Sequence, residues 1–298
     1  MLNFSKIKIL RDLIKNNQNI SLYLSDKECD IEDVIEYSYD LQTGNYINLM
    51  GNEEFYNRKK KHGAEIAKII ESLGGTDILE VGIGEAITLS EVASNLQARR
   101  FYGFDISFSR LLCAKKYLEK RGITTELFGA DLNNIPLADN SLDVVYTHHS
   151  IEPNFGNEKQ ILDELLRITK RYLILIEPIY ELATGEVKKH MEKHRYCRGL
   201  LDYLKQANVR ILDCRPFHED QLNKLNPSTL IIVEKNNISG HSVKSLVPYF
   251  VSPISKRRLF VQKGSLFCPD DGYLYPIING IPYLLKSKAI LASKFLDY

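Results

Sequence analysis

The stretch Asp77-Ile-Leu-Glu-Val-Gly-Ile-Gly-Glu-Ala-Ile87 decides how the rest of this 298-residue chain is interpreted. An apolar run that contains Glu80 leads into two glycines, Gly82 and Gly84, and a helical pattern follows. A strand that enters a helix through such a turn lets backbone amides approach a polar ligand. A lone Gly-x-Gly is weak evidence, because glycine turns also end ordinary strands. The remainder of the chain must therefore decide between a ligand site and a plain turn.

Short β-branched runs alternate with amphipathic stretches from Asp77 onward, which predicts a mainly parallel sheet flanked by helices. The predicted strands are 77–81, 100–104, 125–129, 142–147, 171–176, 209–214 and 229–234, with helices at 107–120, 157–169 and 186–206. Residues 4–75 carry apolar residues at helical spacing, and the last sixty residues are predicted to form a small β-rich unit that ends in a short helix. We therefore divide the chain into 1–75 (a helical preface or lid), 76–238 (the sheet domain) and 239–298.

Composition narrows the class of protein. With 44% hydrophobic and 26% charged residues the chain is typical of a soluble globular protein, and no apolar run reaches the roughly 20 residues that span a bilayer. The N-terminal residues lack a signal-peptide pattern, so a cytoplasmic location without membrane insertion is expected. The net charge of +1 disfavours nucleic acid as a partner, and the basic runs 58–62 and 256–258 are expected to be solvated surface. Five cysteines, none spaced Cys-x-x-Cys, indicate free thiols.

Three acidic residues stand at the ends of consecutive predicted strands. Ile87 occupies the position where a dinucleotide fingerprint has a third small residue, which argues against a dinucleotide. Glu80 could order the glycine loop or meet an ammonium group, Asp105 could bind two ribose hydroxyls, and Asp131 could accept from an adenine amino group that Leu132 covers. Each acid alone could equally be a cap or turn residue. The set of three favours a site for a cationic nucleoside in the crevice at the strand ends.

This constellation resembles the class I S-adenosylmethionine-dependent methyltransferases of the small-molecule type. The resemblance spans about residues 76–235, and it rests on Glu80-x-Gly82-x-Gly84, Asp105, Gly129-Ala-Asp131-Leu132 and the fourth strand from Ser141 to Glu152. It implies an α/β, Rossmann-like, seven-stranded sheet of order 3-2-1-4-5-7-6 with an antiparallel last strand. It also implies S-adenosyl-L-methionine as the cofactor, with Ile106 and His148 as further cofactor contacts.

Three further segments resemble a subset of these enzymes whose genes lie near bacterial surface-sugar genes. They are Glu36 to Tyr46, Glu177 to Ala183 and Leu225 to Thr229. Preface helices in the family fold over the cofactor, so the resemblance implies Tyr39, Gln42 and Tyr46 as lid residues. The alternative is that the tyrosines only pack helices together. The acceptor implied by this subset is a small molecule, specifically a nucleotide- or lipid-linked sugar.

A hydroxyl or ammonium acceptor must lose a proton, and histidine is the usual base near neutral pH. His148 and His149 leave the fourth strand at the rim of the predicted crevice, and Glu152 follows three residues later, as an orienter for His149 would. Either histidine could instead only hydrogen-bond the backbone. His190, His194 and Cys197 would share one face of a helix, but no fourth ligand is indicated, so we predict no metal site.

The last part of the chain resembles a small zinc-ribbon family that accompanies some RNA and protein methyltransferases, through Tyr275-Pro-Ile and Gly280-Ile-Pro. A metal-bound member would have cysteines at four positions, which here are Ser252, Ser255, Cys268 and Asp271. Serine cannot supply a thiolate, so we predict a ribbon without zinc. RNA methylation and a non-catalytic cofactor-binding scaffold stay open as alternatives, and the sequence gives no argument about a homo-oligomer.

Overall fold

A computed structural model describes residues 9–13, 16, 31–217, 224–236 and 249–297 of the chain. Its main sheet has seven strands in the order β3-β2-β1-β4-β5-β7-β6, and β7 is antiparallel to both of its neighbours. The predicted α/β fold, strand order and antiparallel last strand are therefore confirmed. The strands are β1 (Asp77–Val81), β2 (Arg100–Asp105), β3 (Thr125–Gly129), β4 (Leu142–His148), β5 (Thr169–Glu177), β6 (Val209–Pro216) and β7 (Thr229–Lys235).

Helices cover both faces of this sheet. They are α1 (Ile31–Asp40), α2 (Asn45–Leu49), α3 (Glu53–Leu73), α4 (Ile87–Asn95), α5 (Phe108–Lys120), α6 (Glu158–Ile168), α7 (Gly185–Lys193) and α8 (Leu200–Gln206). One core joins α3, α4 and α5 to the sheet, and a second core joins α6 and α8 to its other face. All five residues of β1 are buried, because a central parallel strand has helices on both sides.

The segment predicted as a single helix at 186–206 is two helices. The break contains Arg195 with φ 53° and Gly199 with φ 77°, both in the left-handed region that a continuous helix cannot accommodate. The helix predicted from Ser107 through Lys120 is confirmed: Ser107 Oγ accepts a hydrogen bond from the Arg110 amide at 3.2 Å. The hydrophobic periodicity thus predicted where these helices lie, and residues with a positive φ end α7 earlier than the periodicity indicated.

Helices α1 and α2, residues 31–49, lie over the carboxyl ends of the strands, and we call them the lid. Asp40 accepts three hydrogen bonds of 2.9 Å at the start of α5, from Ser107 Oγ and from the amide and hydroxyl of Ser109. Glu85 accepts from the amides of Gly44 and Ile47 at 2.8 Å each. Carboxylates at helix N-termini are favourable partners for otherwise unpaired amides, so Asp40 fixes the end of α1 and Glu85 fixes the start of α2.

Residues 249–297, the C-terminal unit, form a five-stranded antiparallel sheet. Its strands are β8 (Phe260–Gln262), β9 (Ser265–Phe267), β10 (Tyr273–Ile278), β11 (Ile281–Pro282) and β12 (Ile290–Leu291). Its core contains Leu259, Leu266, Cys268, Tyr275 and Leu284. The predicted short terminal helix is wrong for the described residues, where a single 3-10 turn at Lys286–Lys288 precedes β12. None of the described helices is both long and apolar enough to cross a bilayer.

The four positions of the resembled zinc site are joined by hydrogen bonds. Ser255 Oγ donates to Asp271 Oδ2 at 2.5 Å and lies 3.9 Å from Cys268 Sγ. Ser252 Oγ accepts from the amides of Ile254 and Ser255, as a turn residue does. Polar contacts therefore close the two turns that a metal would otherwise hold together.

Zinc analysis gives a direct test of this substitution. We expect purified protein to contain far less than one zinc per chain, because two serines and one carboxylate replace three thiolates. A chelator should leave the thermal unfolding midpoint unchanged. Elemental analysis together with unfolding scans with and without EDTA measures both. Stoichiometric zinc whose removal lowers the midpoint would overturn the prediction.

Candidate active site

A cavity of about 300 Å³ opens at the carboxyl ends of β1 to β4, beneath the lid. Its lining includes Tyr39, Tyr46, Glu80, Gly82, Gly84, Asp105, Ile106, Asp131, Leu132, His148, His149 and Glu152, all of which the sequence singled out. Gln42 belongs to the turn between α1 and α2 and is not part of the lining. Apart from Gln42, the structure therefore brings the predicted site residues together in one cavity. The roles of these residues stay predictions.

The glycine turn between β1 and α4 forms the floor of this cavity. Gly82 has φ 64°, and a Cβ atom there would lie 2.5 Å from Ser150 Cβ, so only glycine lets the turn pack against the loop after β4. The Gly84 amide donates to Asp105 Oδ2 at 2.8 Å. Ile87 is buried in the first turn of α4, at the place where the dinucleotide fingerprint requires a small residue.

Asp105 at the end of β2 is 7% exposed and binds two backbone amides. Its Oδ2 accepts from Gly84 and its Oδ1 accepts from Ser107 at 2.9 Å. Burial raises the pKa of Asp105, and the positive charge of Arg110 opposes that rise. Each carboxylate oxygen can accept a second hydrogen bond, so Asp105 can organise the turn and still bind two ligand hydroxyls.

Glu80 lies at the end of β1 and is 3% exposed. Burial raises its pKa to about 8, although a 2.7 Å hydrogen bond from the Tyr146 hydroxyl and the charge of Lys59 lower it. At neutral pH this carboxyl group therefore holds a proton for most of the time. A cation placed beside it would favour the ionised form.

Asp131, at the end of β3, has a local structural role as well as a place in the lining. Its Oδ1 accepts from the amide and the side-chain nitrogen of Asn133, both at 3.1 Å, and caps a short 3-10 turn. Asp131 therefore forms a turn through Oδ1, which is one of the two roles that its sequence position allowed. Burial raises the pKa of Asp131, and hydrogen bonds from Asn133 and Asn134 oppose that rise.

His149 has a partner at each ring nitrogen. Nδ1 lies 2.9 Å from Glu152 Oε2, so the predicted contact between these residues is confirmed, and Nε2 lies 2.7 Å from Ser228 Oγ. Burial lowers the pKa of His149, but the hydrogen bond and negative charge of Glu152 outweigh it and the net pKa is raised. His149 also has φ 56°, a strained value for a non-glycine residue of the kind found at functional sites.

His148 occupies a different environment. Its Nδ1 lies 3.3 Å from Thr88 Oγ1, and its buried Nε2 has no hydrogen-bond partner within the described part of the chain. Burial holds the pKa of His148 well below its usual value, and the neighbouring Lys59 and His149 add to that effect. His148 is therefore neutral at physiological pH, with one ring nitrogen available to a ligand.

Glu177 at the end of β5 fixes the loop that carries these histidines. Its Oε1 accepts from the amides of Ser150 and Ile151 at 2.9 and 3.3 Å. Burial raises the pKa of Glu177 to about 7, and the positive charge of His149 lowers it. The side chain is fully buried, so its role is to position the loop.

Two cationic residues of the lining were not assigned to the site from the sequence. Lys59 belongs to the basic run 58–62, which was expected to be solvated surface; that expectation is wrong for Lys59, which lines the cavity, and for His62, which is buried. Arg110 is 6% exposed, and its guanidinium carbon lies 4.6 Å from the centroid of the Tyr39 ring. Its Nη2 is buried without a hydrogen-bond partner among the described residues. Arg110 stands five residues after Asp105, a spacing that could have suggested it.

His190, His194 and Cys197 do not share one helix face, because only His190 lies within α7. The helix ends at Lys193, and Cys197 turns inward, where its Sγ donates to the Ile151 carbonyl at 3.2 Å. His190 and His194 stack on each other with ring centroids 4.4 Å apart. Across the described residues no group of three or more His, Cys, Asp or Glu side chains could hold a metal ion.

Residues 78–171 match the family model described as a methyltransferase domain. This match covers β1 through the start of β5, including Glu80, Asp105 and Asp131. No curated protein matches the sequence of the chain. The family match together with the fold supports an S-adenosylmethionine-dependent methyltransferase domain with S-adenosyl-L-methionine as its cofactor.

Two solved structures share the fold of this chain. Magnesium protoporphyrin IX methyltransferase from Synechocystis, solved with bound SAH, is 14% identical, covers 70% of this chain and 100% of its own, and superposes with a TM-score of 0.55. A methyltransferase complex from Haloferax volcanii, which contains an activator protein, is 13% identical over 70% of this chain and 100% of its own, with a TM-score of 0.53. At such identities these likenesses show the fold alone.

Proposed function

We propose that this chain transfers a methyl group from S-adenosylmethionine to a hydroxyl or amino group of a small molecule. The observation that carries the proposal is the convergence of Glu80, Asp105 and Asp131 on one covered cavity beside the His149–Glu152 pair. The three acids lie at neighbouring strand ends, where ligands bind in open α/β sheets. The histidine pair supplies a proton acceptor at the same cavity.

The residues of the cavity fit S-adenosylmethionine. Three buried atoms of lining residues have no hydrogen-bond partner among the described residues and suit a polar ligand: Arg110 Nη2, His148 Nε2 and Asn226 Oδ1. In this assignment Asp105 binds the ribose hydroxyls, and Asp131 with Leu132 holds the adenine. Glu80 pairs with the methionine ammonium and Lys59 with its carboxylate. The cofactor supplies a methyl group on a sulfonium, and the lid excludes water from it.

The acceptor must lose its proton while the methyl group is transferred. His149 is the proposed base, because Glu152 holds the ring by Nδ1 and directs Nε2 away from that carboxylate. In the ligand-free protein Nε2 of His149 is hydrogen-bonded to the Ser228 hydroxyl. An acceptor therefore either displaces this hydroxyl or transfers its proton to His149 through it. His148, which is neutral and buried, would contribute a hydrogen bond to the ligand and little basicity.

The proposed acceptor class is a nucleotide- or lipid-linked sugar. Its support is the resemblance of the lid, post-β5 and pre-β7 segments to enzymes encoded near surface-sugar genes, and two of these segments contribute Tyr39 and Asn226 to the cavity lining. RNA, which the ribbon-like C-terminal unit suggests, is the second acceptor to be assayed.

The proposal is tested by calorimetric titration of the protein with S-adenosylhomocysteine (SAH), followed by an acceptor panel with labelled S-adenosylmethionine. We expect one binding site, and label in sugar-bearing fractions only. Failure to bind SAH would refute the cofactor assignment. Binding without label in any acceptor, RNA included, would favour the non-catalytic scaffold.

Proton release on binding gives a prediction specific to Glu80. The pKa of Glu80 is about 8 in the ligand-free protein, and an ammonium ligand stabilises the ionised form. Binding at pH 7 should therefore release about 0.9 proton, and affinity should rise as the pH increases from 6 to 8, by up to about tenfold per unit. Calorimetry in two buffers of different ionisation enthalpy measures the released proton.

The variant Glu80→Gln should bind more weakly and release no proton. Glu126→Gln is the control, because it removes a glutamate carboxylate from the neighbouring strand β3 at a position that does not line the cavity. Equal proton release by Glu80→Gln and by the unmodified protein would exclude Glu80 as the ammonium partner.

A further inference from the structure

The C-terminal unit contacts the main domain on both sides of the segment 129–138, which carries Asp131 and Leu132. On one side the Leu284 amide donates to the Gly129 carbonyl at 2.8 Å. On the other side the Val251 amide donates to the Pro136 carbonyl at 3.0 Å, and the Ala138 amide donates to the Tyr249 carbonyl at 3.3 Å. The segment at the nucleoside end of the cavity is therefore held between two parts of this unit, residues 249–251 and residues 283–284.

Tyr283 extends this contact to the lid. Its hydroxyl lies 2.8 Å from Glu36 Oε1 on α1 and 3.0 Å from the carbonyl of Ile106, which directly follows Asp105. Lys288 adds an ion pair to Glu36 at 3.2 Å. One tyrosine hydroxyl thus joins the C-terminal unit, the lid and the end of β2.

Close packing fixes the tyrosine in this place. A Cβ atom at residue 129 would lie 1.9 Å from Tyr283 Cδ2, so the ring lies directly on a glycine. The Tyr283 ring also packs against Phe108, and the two ring centroids are 5.0 Å apart. A ring held on two sides has few rotamers to lose, so its hydroxyl is directed at the lid at low entropic cost.

We propose that Tyr283 is a positioning residue for cofactor binding, through which the C-terminal unit holds the lid over the nucleoside end of the cavity. This inference rests on the proposed function. Helix α1 has ten residues, and helices of that length are marginal without tertiary contacts. Asp40 and Glu85 fix its far end and the following turn, and Glu36 is its attachment to the C-terminal unit.

Tyr283→Phe removes the hydroxyl and keeps the ring. We expect SAH to bind about 3- to 10-fold more weakly, which corresponds to the loss of one hydrogen bond. In the ligand-free protein, amide hydrogen exchange in residues 33–40 should be faster by a similar factor. In a methyl-transfer assay KM for S-adenosylmethionine should rise more than kcat falls.

Tyr275→Phe is the matched control, since it removes one hydroxyl contact, with Ser252, inside the same unit. It should leave SAH affinity and lid exchange unchanged. Glu36→Ala should also weaken SAH binding, and the double variant should lose less affinity than the sum of the two single losses, because both variants remove the contact between Tyr283 and Glu36.

The outcomes separate this inference from the proposed function. Unchanged SAH affinity in Tyr283→Phe, or equal losses in Tyr283→Phe and Tyr275→Phe, would overturn the positioning role while leaving the cofactor assignment intact. No SAH binding by the unmodified protein would refute the cofactor assignment. In that case unchanged lid exchange in ligand-free Tyr283→Phe would still overturn the contact between lid and C-terminal unit.

Discussion

Replacement of Asp105 by alanine is expected to weaken SAH binding by about 100-fold, the largest effect of any single cofactor contact. The substitution removes the acceptor for two ribose hydroxyls and also the partner of the Gly84 and Ser107 amides. Calorimetric titration measures the loss. Unchanged affinity would rule out the ribose role and would leave Asp105 as a turn residue.

Asp143→Ala is the control. It also removes an aspartate carboxylate that binds two backbone amides, but at the opposite end of the strands. Asp143 Oδ2 accepts from the amides of Thr76 and Asp77 at 3.1 and 3.3 Å, so it too fixes a loop through its backbone. Asp143 is not part of the cavity lining. The control should lower the unfolding midpoint and keep SAH affinity, which separates general destabilisation from loss of a ligand contact.

His149→Ala should lower kcat for methyl transfer by about 100- to 10,000-fold, the range that a general base contributes. SAH affinity should change little, because the base acts on the acceptor. His194→Ala, outside the cavity, is the control. A variant that retains the rate of the unmodified protein would exclude His149 as the base.

The pH dependence tests the same pair. His149 must be neutral to accept a proton, and its pKa is raised, so the rate should increase as the pH passes upward through a value above the usual histidine pKa. Glu152→Gln removes the negative charge that raises the pKa of His149. We expect the midpoint of the pH–rate profile to move to lower pH in that variant, together with a smaller kcat. A midpoint that did not move would contradict the assignment.

The fold was predictable because each strand of the main sheet has its own local signal. Runs such as Asp77–Val81 are apolar, β-branched and bounded by turn residues, and the strand order followed from the family resemblance. The break in the helix predicted at 186–206 was missed because Arg195 gives no sequence warning of a positive φ. Only the glycine at 199 marked that turn.

The candidate site was predictable where strand ends carry acids, and unpredictable where distant segments meet. Ser228 lies next to His149 across 79 positions of sequence, and Tyr283 reaches Glu36 across 247. No periodicity or spacing connects residues so far apart. Lys59 was missed for a different reason: a basic run on a helix is usually solvated, and here one of its lysines lines the cavity.

The position of β3 at the end of the main sheet has a consequence for the solubility of the protein. A terminal strand presents unpaired backbone groups that can recruit another chain. The opposite end, β6, carries Arg210, Asp213 and Arg215 and an irregular register, features that discourage such pairing. At β3 the last backbone carbonyl, that of Gly129, is instead paired with Leu284. The C-terminal unit therefore also covers the carboxyl end of β3, which a chain without this unit would leave unpaired.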